Sequence, residues 1–438
     1  MSRALFTLFS AALLAVLLIQ FVPAAFAQAG AAGAAIAILA ISALSAPLLS
    51  WSDGRLHANT LTALIPDVYK ALDVVSRELV GLIPGVTRDV SVDQVALNQT
   101  VRSQATPVNS AARNITPAMA FPAAADQSIA NVPITITNVK AFPFSWTGEE
   151  QKSINQGPGY LTIQQDQIAQ AIRAAVNSIE LDGANTARLA ASRAYGTAGT
   201  TPFGTNLGES AQLKKILDDN GAPGTDRSLV INTTTGAQLR TLLNNPLNAN
   251  TALAGDMTRQ GMILDVNGFK FRESAQISTA TKGTGTLYTS TAAGFAIGAT
   301  SIPVITGAGT ILAGDIITFA GDTNKYVVAT GVAAPGTIVL AAPGLLQAIP
   351  AAATALTVGN NFVANLGFSR NALILAARLP AVPQEKDLAI MREVVTDPVS
   401  GLSLEVAVYP GYRMVVYEVG IAWGWKVIKP EHLAVLLG

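Results

Sequence analysis

Near the end of the chain, Val415, Tyr417, Val419, Ile421, Trp423, Trp425 and Val427 occupy every second position over thirteen residues. Successive side chains of a strand point to opposite faces, so this alternation predicts one strand with an apolar face. At about 3.3 Å per residue it runs roughly 40 Å, well beyond the usual five or six residues. Just before it, Leu402, Leu404, Val406 and Val408 alternate with Ser403, Glu405 and Ala407, and Pro410-Gly411 predicts the turn between the two runs. A paired ribbon of that length implies an elongated domain. Trp423 and Trp425 share a face with Val419 and Ile421, so a packed core is favoured over stacking on nucleic-acid bases, despite the neighbouring Lys426.

The longest helical signal is Ile163 to Tyr195, where Ile168, Ile172, Val176 and Ile179 form a stripe while Gln167, Arg173, Asn177 and Glu180 fall mostly on the other side. A helix of about 30 residues is roughly 45 Å long, a scaffold element more naturally than a catalytic one. Gly183 is expected to bend or interrupt it. Earlier, Pro66 suits a first helical turn, and Val68, Leu72, Val75 and Leu79 make a stripe, so Leu64 to Val80 reads as a short amphipathic helix ended by Gly81 and Pro84. It is either a core helix or an arm lying on a neighbouring subunit. Between Val90 and Trp146, β-type runs at Gln94–Arg102 and Val132–Trp146 flank an Ala/Pro/Asn-rich centre, Ala105 to Asn131. This predicts a long hairpin whose tip is too long for an idle loop.

Residues 205 to 276 alternate helix and strand patterns: Ser228–Asn232 as a buried strand, Thr235–Leu243 as a helix, and Gly261–Phe271 as strand, turn and strand around Asn267-Gly268. From Gly283 to Ser369 the only charged residues are Asp315, Asp322 and Lys325, a shift that marks an inserted module. Its short runs at Ser301–Ile305, Asp315–Ala320, Lys325–Thr330, Thr337–Ala341 and Thr354–Val358, separated by Gly and Pro turns, predict a small antiparallel barrel or sandwich.

Composition narrows the chemistry. The 28 basic side chains equal the 28 acidic ones, which argues against a protein whose main task is gripping phosphate backbones. There is no cysteine, hence no disulfide, thiolate nucleophile or thiolate metal site. The two histidines, His57 and His432, are too few for a histidine-rich metal centre, and each reads as a surface or interface residue. No phosphate loop, zinc-protease or EF-hand motif occurs, and Gly307-Ala308-Gly309 lacks the third glycine of a dinucleotide loop and reads as a β-turn. Glu149-Glu150 and Asp218-Asp219 are adjacent pairs, whose side chains diverge and are poorly placed for acid/base work.

The first segment speaks differently. No charged side chain occurs from Ala4 to Ser52; Leu5–Val22 resembles the apolar region of a signal peptide, Ala25-Phe26-Ala27 a cleavage site, and Ala31–Trp51 is long enough to cross a bilayer. Alone, this leader indicates an exported or tethered protein, such as an adhesin or surface-layer subunit. The globular pattern that follows favours an upstream extension, from an early start codon or a fusion, over a genuine secretion signal.

Several segments, in order, carry a resemblance: Asn59–Thr62 with Ile65–Tyr69, Leu72–Glu78 (LDVVSRE), Trp146–Gln151 (WTGEEQ), Ile216–Pro223 (ILDDNGAP) and Arg272–Ile277 (RESAQI). Ala313–Val328 (AGDIITFAGDTNKYVV), Ala341–Pro350 (AAPGLLQAIP), Thr396–Tyr412 and Lys429–His432 complete the series. Together, from about His57 onward, the chain resembles the major coat proteins of tailed bacteriophages, specifically the P-22-type coats with an inserted β-domain. The resemblance implies an α+β, Hong Kong 97-type capsid fold. Its parts are expected at 57–90 (N-terminal arm), 91–147 (extended loop hairpin), 148–204 (peripheral domain with a long spine helix), 205–282 (axial domain), 283–364 (inserted antiparallel β-barrel), 365–395 (axial return) and 396–438 (peripheral strands), after the 1–56 leader.

It further implies a non-enzymatic subunit, without cofactor or metal, that forms hexamers and pentamers of an icosahedral shell. Its partners would be copies of itself, a scaffolding protein and a portal, with double-stranded DNA packaged without sequence specificity. Assembly is expected in the host cytoplasm, ending in a virion without a membrane, whose subunits lack residues 1–56. The family's covalent cross-link needs a Lys and Asn pair that is not located here and is not carried over. The arm at Ala105–Asn131 and the insert at Gly283–Val363 are expected to supply intersubunit contacts, with Arg102, Arg113, Trp146, Glu149, Glu150, Asp315, Asp322 and Lys325 as candidate contact residues.

Overall fold

A computed structural model describes residues 80–105, 130–154, 160–243, 265–383, 387–396 and 401–438, all within Tyr69–Gly438. The leader, all but the last residue of the expected 64–80 helix and most of the 105–131 hairpin tip, Arg113 included, lie outside these residues. The described chain is mixed α+β, with few helices and many strands.

Its first part runs β1 (Thr87–Val95), β2 (Thr100–Ala105), β3 (Ala130–Thr135), β4 (Asn138–Thr147), α1 (Gly148–Ile154), α2 (Tyr160–Ala190) and β5 (Arg193–Tyr195). Then come α3 (Gly208–Asp219), β6 (Arg227–Ile231), α4 (Thr233–Leu243), β7 (Phe269–Glu273) and β8 (Thr279–Ala280). The neutral stretch holds β9 (Thr289–Ser290), β10 (Ser301–Ile305), β11 (Ile316–Phe319), β12 (Lys325–Thr330), β13 (Gly336–Leu340) and β14 (Leu356–Val358). The chain closes with β15 (Phe362–Ser369), β16 (Leu373–Pro380), β17 (Met391–Thr396), β18 (Ser403–Gly411), β19 (Met414–Val427) and β20 (Leu433–Leu437).

The long alternating run forms β19, a 14-residue strand at the centre of a six-stranded sheet. Its residues 414–423 pair with β4, 414–420 with β18 and 422–427 with β16. A residue has only two strand edges, so β4 occupies one edge while β18 and β16 follow each other along the other. β17 continues from β18, and β1 joins β16 in parallel. The turn falls later than Pro410-Gly411 predicts: Gly411 pairs with Met414, leaving Tyr412 and Arg413 as a two-residue loop with Arg413 at φ 56°. Pro410 itself stays in the ladder opposite Val415.

β19 is buried on both faces from Val419 to Trp425, not on one. Val419, Ile421, Trp423 and Trp425 enter the main core, whereas Ala422 packs with Val95, Ile134, Ile136, Ile374 and Ala376. The small residues between the tryptophans make room for the chain at β3: a Cβ on Gly424 would collide with the Thr135 carbonyl oxygen, and the Thr137 N–H donates to the Trp423 carbonyl at 3.2 Å. The expected hairpin divides accordingly. Gln94–Arg102 spans the end of β1 and the start of β2, with Asn98 at φ 65° between them, and Val132–Trp146 spans β3 and β4. Only β2 and β3 pair as a two-stranded ribbon, while β1 and β4 belong to the large sheet.

The second sheet runs β7-β6-β15-β20-β5-β12-β13-β10-β9. In β20, Leu433, Val435 and Leu437 face the main core, and Ala434 and Leu436 face a second core with Leu213, Leu217 and Leu239 of α3 and α4. Both faces are covered, which is why Leu433–Leu437 and Leu229–Ile231 read as continuous apolar runs. Asn267 and Gly268, at φ 52° and 78°, form the tight turn before β7 that their sequence predicts; residues 261–264 are outside the description. The neutral stretch encloses its own core of Tyr288, Ile302, Ile317, Phe319, Val328, Ile338 and neighbours. Its strands match the predicted runs to within two residues. The stretch meets the rest through β12–β5 and through β8, which pairs with β15.

Candidate assembly site: a strut and the points where chain leaves it

α2 spans Tyr160–Ala190 without a break, so Gly183 does not interrupt it, and the helix ends five residues before Tyr195. Gly183 is required for contact instead: a Cβ there would lie 2.5 Å from the Trp425 ring and 2.8 Å from Leu82. Trp425 Nε1 donates to the Ile179 carbonyl at 3.1 Å, one turn before that glycine. Trp423 Nε1 donates to Asp182 Oδ2 at 3.0 Å, and Asn138 Nδ2 donates to the same oxygen at 3.0 Å. Asp182 thus ties the helix to β4 and β19 together, while the Lys140 ammonium lies 5.3 Å from the Trp423 ring centre. The tryptophans are core residues with their N–H groups satisfied, as the shared strand face predicts.

Three residues before Gly183, Glu180 is wholly buried. Its Oε1 accepts the N–H groups of Gly81 (2.8 Å) and Leu82 (2.6 Å), and its Oε2 accepts that of Ile83 (3.0 Å). A carboxylate in the middle of the helix therefore fastens the backbone of the segment leading from the N-terminal region. Burial pushes its pKa up, opposed by these three N–H groups and by the Ser274 hydroxyl. Sequence reading placed Glu180 on the polar side of the helix and missed this role; a lone Glu near an apolar stripe gives no sign that distant amides converge on it.

The candidate contact residues separate into two groups. Arg102, on β2, and Glu149, in α1, are exposed. The other described candidates are engaged inside the chain. Trp146 is 4% exposed and its Nε1 donates to Gln167 Oε1 at 2.7 Å, joining β4 to α2. Glu150 accepts the Thr147 N–H at 2.8 Å and its own N–H is capped by the Thr147 hydroxyl, a reciprocal N-terminal box for α1. Asp315 accepts N–H groups from Gly283 (3.0 Å) and Leu312 (2.8 Å); burial raises its pKa, against these bonds and the Arg188 charge. Asp322 accepts from the Asn324 N–H and the Tyr326 hydroxyl, whose pKa is pushed up to about 12 by burial and that carboxylate. Lys325 donates to the Gly196 carbonyl, and burial lowers its pKa. Side-chain placement leaves Arg102 and Glu149 as the described candidates free to reach another molecule. His432 is buried on a short turn.

No protein-family model and no curated protein matches the sequence. The structure is similar to solved phage and particle capsids. One is the capsid of the cyanophage P-SCSP1u, at TM-score 0.43 and 13% identity over 81% of this chain and 86% of that one. Another is the capsid of an empty GTA particle, at TM-score 0.41 and 10% identity over 83% and 91%. A third is from Mycobacterium phage Che8, at TM-score 0.38 and 12% identity over 77% and 84%.

Proposed function

We propose that the chain is the major capsid subunit of a tailed bacteriophage, with a Hong Kong 97-type fold of P-22-type organisation, assembling into the shell that holds packaged double-stranded DNA. The observation that carries this reading is the strut. A 31-residue helix lies along a 14-residue strand through the buried Trp423 and Trp425, Glu180 fastens the backbone at Gly81–Ile83 to it, and β2 and β3 pair as a ribbon apart from the two large sheets. In this reading α2 is the spine, β17–β19 are the peripheral strands and the neutral β unit is the insertion. Assembly of such a subunit requires no reactive group: modest patches against several neighbours are multiplied by closure, and net neutrality limits repulsion among many copies. A scaffolding protein and a portal are the implied partners, with assembly in the host cytoplasm.

Expression of residues 57–438 together with its scaffolding protein, followed by negative-stain microscopy, tests the proposal; closed shells are expected. The exported surface-protein reading rests on the uncharged leader and the Thr/Ala/Gly-rich, cysteine-free body. N-terminal mass spectrometry of purified particles separates the two, because subunits of a virion are expected to lack peptides from residues 5–50. Among the described residues, no helix is long and apolar enough to cross a membrane.

A further inference from the structure

Three pieces of chain meet at one corner of the six-stranded sheet: the turn Arg370–Ala372 between β15 and β16, the end of β19 with Lys426–Lys429, and Thr87 at the start of β1. The Ala372 carbonyl accepts the N–H groups of Ile428 (2.8 Å) and Lys429 (3.4 Å), and Lys426 stands opposite Ile374 in the ladder. The Thr87 hydroxyl lies 3.2 Å from the Arg370 carbonyl and 3.0 Å from Asn371 Oδ1. Because Oδ1 takes that hydroxyl, the Asn371 amide nitrogen is left as a donor. Arg370, Asn371 and Lys426 are exposed and Lys429 is partly so. Among the described residues, none of the three cations has a carboxylate in ion-pair range. Asp226, whose carbonyl accepts the Arg370 N–H at 3.0 Å, is answered by Lys270 at 3.6 Å, and Glu431 follows Lys429 by two residues, so positive charge is in excess at this corner.

The surroundings favour one kind of partner. Among the described residues, none of the exposed large apolar side chains falls between 362 and 383 or between 424 and 438. Protein interfaces are anchored by aromatic and aliphatic side chains, whereas nucleic-acid backbones are held by Arg, Lys and Asn groups that donate to phosphate oxygens. From Lys426 to Lys429 is about 10 Å of extended chain, a length over which duplex DNA carries roughly six phosphate charges. We infer that this corner holds the backbone of double-stranded DNA, with Arg370, Asn371, Lys426 and Lys429 donating to phosphate oxygens and reading no bases. That the polyanion is duplex DNA rests on the shell role proposed above; the arrangement of donors does not. The neutral chain as a whole keeps each contact weak, so retention comes from many copies acting on one DNA molecule.

Fluorescence anisotropy of a labelled mixed-sequence DNA duplex titrated with the full chain tests it. Three cationic contacts predict an affinity that falls roughly 40-fold between about 50 and 200 mM salt. Combining Arg370→Gln, Lys426→Gln and Lys429→Gln should weaken binding at least about tenfold at the lower salt and flatten that dependence. Combining Arg102→Gln, Lys152→Gln and Arg413→Gln removes the same charge from exposed residues elsewhere and should leave the affinity as it is. Melting curves check that both combinations fold; should the first not fold, Lys426→Gln alone is expected to reduce the salt slope by about 0.9. No binding by the parent at the lower salt, a folded first combination that binds as the parent does, or an equal loss in the second would each overturn the assignment. So would polyglutamate displacing the duplex as readily as unlabelled DNA, which would make an acidic protein segment the partner. Shells formed by a chain without DNA affinity would remove this inference and leave the proposed function, whereas DNA affinity lost only in the first combination, in a chain that never forms shells, would support the corner and remove the shell.

Discussion

Gly183 sets two local effects against each other. Replacing a mid-helix glycine with alanine ordinarily stabilises a helix by about 1 kcal/mol, whereas forcing a methyl group into a filled contact costs about 1–3 kcal/mol. Because the Trp425 ring and Leu82 occupy the space and Trp425 is pinned to the Ile179 carbonyl, packing wins. Gly183→Ala should therefore lower the urea midpoint, and a rise would show that the ring can step aside. Glu180 gives a pH signature. Its folded-state pKa is raised above 4.5, so the folded protein holds that proton more tightly than the unfolded chain does. The associated stability is present at low pH and is lost as pH rises through the raised value. Glu180→Gln removes this slope, so the difference in unfolding free energy between variant and parent should change with pH above 4.5. A difference independent of pH would show that the carboxyl titrates normally.

At the scale of elements, the sequence was most legible where one periodicity ran undisturbed. The helix at Tyr160–Ala190, the strands of the neutral stretch and the run at Val415–Val427 were each readable from spacing alone. What it concealed were partners. Alternation says that Trp423 and Trp425 share a face, but not that the opposite face is covered too, because Gly420, Ala422 and Gly424 look like any small residues until Pro380 lies on the first and the chain at Ile134–Ile136 on the other two. Likewise, β1 and β2 read as one arm of a hairpin because nothing local announces that β1 pairs in parallel with β16, almost 290 residues away. The charges of the neutral stretch hide their partners in a related way: Asp315 and Lys325 stand out in the sequence as surface charges, and in the structure they meet backbone groups of Gly283 and Gly196. Gly424→Ala tests the covered face. It should loosen β3 without unfolding α2, seen as faster amide exchange at residues 132–137; unchanged protection there would contradict the packing described.

On the scale of the whole molecule, the proposed assembly role falls on the chain that joins β2 to β3. Deleting residues 106–130 removes the terminal Ala105–Ala130 pair of the β2–β3 ribbon but no core residue among those described, so the shortened chain should remain folded and soluble while failing to form shells. Normal shells from it would remove the arm from the account. The central claim is that this subunit is built to be tiled. Negative-stain microscopy of the 57–438 chain, expressed with and without its scaffold, measures that most directly. Closed shells of uniform diameter are predicted with the scaffold present, and a preparation that stays monomeric at high concentration with the scaffold present would contradict it.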